Sequence, residues 1–60
     1  MKEKKKYGNG DAVICVDGAD EYLGVVLEDL GDDVYEVNFV DNNGQRDTWE
    51  FHADDLREAL

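Results

Sequence analysis

Sixty residues and 6.8 kDa leave room for one small domain, and sixteen acidic against six basic residues set a formal net charge of −10. A two-domain enzyme is not expected within these sixty residues, a lone cysteine excludes an internal disulfide among them, and a body of this sign repels phosphate, which disfavours direct nucleic-acid binding through the folded part. With 42% hydrophobic residues and a mean hydropathy of −0.65, the composition is that of a folded domain with a thin core.

Lys2, Lys4, Lys5 and Lys6 against Glu3 give the first six residues a local charge of +3, which leaves −13 from Tyr7 onward, interrupted only by Arg46 and Arg57. So short a basic run reads as a flexible solvated tail over 1–8, with the domain spanning 9–60. The lysines are followed by Tyr7-Gly8-Asn9-Gly10 rather than an apolar stretch, and no run approaches a membrane span, so no signal segment and no membrane partner are expected. Together with the unpaired thiol this makes cytoplasmic the default location.

Asn9-Gly10-Asp11 is a turn signal, and the β-branched run Ala12 to Val16 that follows predicts a first strand closed by Asp17-Gly18. Glu21 to Leu30 predicts a second, strongly bent strand in which the interior Gly24 marks a bulge or a close backbone approach. Gly31-Asp32-Asp33 turns tightly into a third strand, Val34 to Val40, where Tyr35, Val37 and Phe39 alternate with Glu36 and Asn38. Asn43-Gly44 tolerates positive φ at both central positions of a hairpin turn, so a fourth strand from about Gln45 to Phe51 folds straight back. In it Asp47, Trp49 and Phe51 share one face, the aromatics opposite the core face of the third strand. Ala53 to Leu60 predicts either a short helical turn or a single 3₁₀ turn followed by a stub of strand.

Four to five strands at this spacing predict an all-β fold, a small strongly bent barrel whose closure removes the sheet edges. Its core is expected to hold Val13, Val26, Val37, Phe39 and Trp49, so that Trp49→Ala costs about 3 to 5 kcal/mol.

The segments Gly10-Asp11-Ala12-Val13, Tyr22-Leu23-Gly24-Val25-Val26, Tyr35-Glu36-Val37-Asn38-Phe39-Val40-Asp41 and Ala53-Asp54-Asp55-Leu56-Arg57 together resemble the SH3-like barrel group that includes Tudor domains. From Leu23 to Leu60 the chain is also similar to small uncharacterised bacterial barrel proteins with a Tyr-Glu-Val-x-Phe-Val-Asp strand and an Ala-Asp-Asp-Leu-Arg ending. The Tudor resemblance implies a cage of aromatic rings that holds a methylated lysine or arginine by cation–π attraction beside an acidic group. Tyr22 and Phe39 fall where two cage aromatics are similar, and Asp41 where the acidic partner is common. No aromatic stands near Val16 and Asp17 on the first strand, so Trp49 or Tyr35 would have to complete the cage. In a barrel with little else to bury, the same aromatics also read as core or rim residues.

Catalytic chemistry finds few residues to work with, since the chain has no serine and Cys15 lies in an apolar strand away from His52, and no enzyme activity is expected. One cysteine and one histidine do not close a zinc site, the acid spacing does not match a calcium loop, and no metal or cofactor is expected. The leading expectation is a non-catalytic acidic binding module, a monomer that docks a basic protein or peptide in a groove lined by Tyr22, Phe39, Asp41 and Trp49. One alternative is a phage or mobile-element inhibitor that mimics nucleic-acid phosphates with the acidic rows Asp17, Asp20, Glu21 and Glu28, Asp29, Asp32, Asp33. The other is a small regulatory subunit of a larger assembly.

Overall fold

A computed structural model describes residues 6–59. Five antiparallel strands form a single sheet: β1 (Ala12–Asp17), β2 (Asp20–Gly31), β3 (Val34–Val40), β4 (Arg46–His52) and β5 (Leu56–Glu58), with a 3₁₀ turn at Ala53–Asp55 between the last two. The fold is all-β, as expected, and the C-terminal segment takes the form of a 3₁₀ turn plus a strand stub. His52 caps that turn, its Nδ1 accepting the Asp54 N–H at 3.2 Å. No helix among the described residues is long and apolar enough to cross a membrane.

The strand order is β4-β3-β2-β1-β5, so β4 and β5 are the two edges. The expected closed barrel is therefore corrected to a curled, open sheet. It curls because residues from both edges enter one cluster, Phe51 of β4 and Leu56 of β5 packing with Val13, Cys15, Val26, Tyr35 and Val37. Two register shifts in the β2/β3 ladder, between Val26 and Glu28 and between Asp29 and Gly31, supply the bend. Gly24 lies in regular register and serves close approach instead of a bulge. A Cβ there would meet Val37 Cγ1 at 2.8 Å and Asn38 O at 2.9 Å.

Open edges change which aromatics are buried. Val37 pairs with Trp49 and Tyr35 with Phe51, and directly opposed residues share a face, so the inward facing expected for Trp49 is present. Yet Trp49 is 64% exposed, because among the described residues no strand packs beyond β4 to cover it. Trp49 is thus removed from the expected core, and Phe39 is only partly buried against it, while Val13, Val26 and Val37 are fully buried.

Tyr7, assigned by sequence to the solvated tail, is buried at 7% exposure. Its hydroxyl donates to the Leu56 carbonyl at 3.2 Å, its N–H donates to the Tyr35 hydroxyl at 3.4 Å, and the two rings meet edge to face at 5.4 Å. Packing therefore extends to Tyr7, ahead of the expected boundary at residue 9. The part of the expected tail before Lys6 lies outside the described residues.

The turns redistribute the backbone strain. Positive φ at both central positions occurs at Asp32 (56°) and Asp33 (64°), the pattern of a type I′ hairpin between β2 and β3. Asn43-Gly44 is not such a pair, since only Gly44 has positive φ. Asp41 N–H donates to Gln45 O and Gly44 N–H to Asp41 O, which makes a three-residue loop with a bulge at the glycine.

Candidate functional site

The inward face carries an open groove of about 450 Å³ at the exposed side of the curl. Its walls are Val16 and Asp17 from β1, Tyr22 from β2, Phe39 and Asp41 at the end of β3, Trp49, Glu50 and Phe51 from β4, and Asp55 from the 3₁₀ turn. The ladder explains how residues so far apart in sequence converge. Gly24 pairs with Phe39, so Tyr22, two residues before that glycine, is the diagonal neighbour of Phe39, and their rings lie 5.4 Å apart at 41°. Phe39 in turn meets Phe51 edge to face at 5.6 Å. An aromatic row thus leads from the rim at Tyr22 to the core at Phe51, and Trp49 stands beside it in solvent.

Three carboxylates, Asp17, Asp41 and Asp55, share the groove with these rings, and Glu50 adds to the wall at the strand edge. Burial, together with the negative charges of Asp20, Asp17 and Asp41, holds the Tyr22 phenol above its ordinary pKa. Asp41 also has a structural task. Its Oδ1 accepts the N–H groups of Asn43 and Gln45, both at 2.9 Å, and so pins the β3–β4 loop while its charge stays at the groove.

All four residues expected to form the groove, Tyr22, Phe39, Asp41 and Trp49, line this one depression. The acidic rows divide. Asp17 lines the groove and Asp20 acts on Tyr22, whereas Glu21 pairs with Arg57 at 2.8 Å. Glu28, Asp29, Asp32 and Asp33 lie at the other end of β2. A rise of ~3.3 Å per residue puts the two ends of that twelve-residue strand roughly 35 Å apart along the chain. There Asp29 lies 3.9 Å from Lys6 Nζ and accepts the Gly31 N–H.

Phe51, Glu50, Asp55 and Val16 complete the groove and were not singled out from the sequence. The alternation of β4 already grouped Phe51 with Trp49. Glu50 gave no signal, because alternation puts its side chain on the outer face opposite Glu36, and it borders the groove only because β4 is an edge strand.

Cys15 is fully buried in the core, and burial pushes its thiol up to about 11, which leaves it protonated and inert towards the groove. Comparison with family models, curated proteins and solved structures finds no match.

Proposed function

We propose that the chain is a small non-catalytic binding module that takes a basic segment of another protein into this groove. The lining itself carries the reading: Tyr22, Phe39, Trp49 and Phe51 meet Asp17, Asp41 and Asp55 in one open depression. Carboxylates attract an ammonium or guanidinium group, and an exposed ring face adds cation–π attraction of roughly 0.5 to 1 kcal/mol. Assignment to the SH3-like barrels belongs to the same proposal, supported by the strand order, the long bent β2 and the 3₁₀ turn before β5. A Tudor-type cage would draw on Tyr22, Phe39 and Trp49 with Asp41. Val16 and Asp17 form the wall where a first-strand aromatic would stand, so an unmethylated basic side chain fits the present lining as well as a methylated one.

Trp49 makes the test direct, since it is the single tryptophan of the chain and stands in the groove. A lysine-rich peptide titrated at low ionic strength is expected to shift Trp49 emission saturably. Asp41→Asn keeps the oxygen that pins the loop and removes only charge, so it should weaken binding several-fold without altering the fold. Asp32→Asn, at the far end of β2, should leave binding nearly unchanged. Equal weakening by both would point to diffuse charge, as a phosphate mimic requires, and overturn the groove.

A further inference from the structure

The longer of the two open edges of the sheet borders the groove. Among the described residues β4 pairs with β3 alone, and the opposite edge strand, β5, has only three residues. Two bonds that bracket the β3/β4 ladder fix the direction of the β4 main-chain groups: Asp41 N–H to Gln45 O at 2.8 Å, and Ala53 N–H to Asp33 O at 2.7 Å. Between them the register runs without a shift from Val40↔Arg46 to Val34↔His52. Every second residue of an antiparallel ladder turns its N–H and C=O towards its partner. Asp47, Trp49 and Phe51 therefore bond towards β3, and Arg46, Thr48 and Glu50 present their main-chain groups outward. Thr48 agrees with this, since its N–H is free to donate to the carboxylate of its neighbour Asp47 at 2.8 Å.

Resting on the docking reading above, we infer that the basic segment binds as an added strand along the outer edge of β4. It hydrogen-bonds to the main chain of Arg46, Thr48 and Glu50 and directs every second side chain over Trp49 into the groove. The occupant is an extended segment with lysine or arginine at alternate positions. Charge decides this, because the inward-facing positions of such a strand meet Asp17, Asp41 and Asp55, whereas the outward-facing ones lie beside the mixed set Arg46, Thr48 and Glu50. The added strand occupies the gap that the open sheet leaves beyond β4. Asp47 protects the edge meanwhile, since its carboxylate occupies the Thr48 donor until a strand displaces it.

The probe is the capped peptide Lys-Thr-Lys-Thr-Lys-Thr-Lys, titrated against the full chain with Trp49 emission and amide hydrogen exchange as readouts. In antiparallel addition the threonines lie opposite Arg46, Thr48 and Glu50 and make the bonds, while the lysines face the groove. N-methylating the threonine amides is expected to weaken binding about tenfold or more, and N-methylating as many lysine amides to change it by less than about threefold. Exchange at the Thr48 and Glu50 amides should slow on binding. Sensitivity of the lysine set alone also supports strand addition, in the parallel sense. Equal sensitivity to both sets, or a Trp49 response without protection of Thr48 and Glu50, overturns the strand mode and leaves groove docking standing. If the unmodified peptide does not perturb Trp49, the docking reading falls and the inference with it.

Discussion

Tyr35 and Trp49 sit on neighbouring strands of the same inward face, yet their exposures are 1% and 64%. The difference separates a side chain that holds the fold from one presented to a partner. Tyr35→Ala should cost about 3 to 5 kcal/mol, a large part of the stability of so small a domain. Trp49→Ala should move stability by no more than about 0.5 kcal/mol, as for a surface position. Urea melts followed by far-ultraviolet circular dichroism read both, and a Trp49→Ala variant melting far below wild type would restore the residue to the core. Cys15 adds a pH dependence. Its thiol goes from 9.0 to about 11 on folding, so at pH values between these the unfolded chain holds fewer protons than the native one. The contribution is complete below about 9 and is lost as the pH rises through about 11. Melting temperatures over that interval should therefore fall more steeply for wild type than for Cys15→Ala, and parallel slopes would show that the thiol is not held neutral.

The hairpins concentrate their constraints at a few positions. At Gly24 the limit is space, since an added Cβ would lie 2.9 Å from the Asn38 carbonyl, a group of the β2/β3 strand pair that cannot swing aside freely. Gly24→Ala should cost about 1 to 3 kcal/mol by overpacking. At the β2–β3 turn the limit is conformation, and Asp33→Gly, which relieves an L-residue at φ 64°, should stabilise by about 0.5 to 1 kcal/mol. Thermal melts of the two variants should move in opposite directions.

Strand positions were legible because their signal is local. Alternation placed β3 at its observed limits, and β1, β2 and β4 came within a residue at each end. The groove residues Tyr22, Phe39 and Asp41 were grouped by the Tudor resemblance, with Trp49 named to complete the set, and alternation contributed only the faces of β3 and β4. Alternation does not say whether a face is covered, which depends on whether β4 and β5 meet, and so Trp49 was placed in the core. Tyr7 gave no periodic signal at all, being a single aromatic between a lysine and a glycine. Asn43-Gly44 carries the sequence signal of a type I′ turn, but the Asp41 side chain imposes a longer loop there and the conformation occurs at Asp32-Asp33.

For the molecule as a whole, charge sets two opposed responses to salt. The carboxylates crowd both ends of β2, and the −13 carried from Tyr7 onward is self-repelling. Raising ionic strength from about 10 mM to about 150 mM shortens the screening length from roughly 30 to 8 Å and should raise the melting temperature. The same change should slow and weaken capture of a basic peptide. A melting temperature indifferent to salt would show that the ion pairs Glu21–Arg57 and Lys6–Asp29 already balance the repulsion.

The tie between Tyr7 and Leu56 also orders events in time. It joins residues 49 apart, and the β1/β5 ladder joins others at similar separation, whereas the β2/β3 and β3/β4 hairpins close over a few residues. Closing a long loop costs more chain entropy than closing a short one, so the hairpins form first and the two ends of the chain are sealed together last. Tyr7→Phe and Leu56→Ala should then speed unfolding with little effect on refolding, while Val37→Ala slows refolding in stopped-flow measurements. The rate at which the molecule forms is thus a property of its hairpins, and the lifetime of the native state is decided at the seam between its ends.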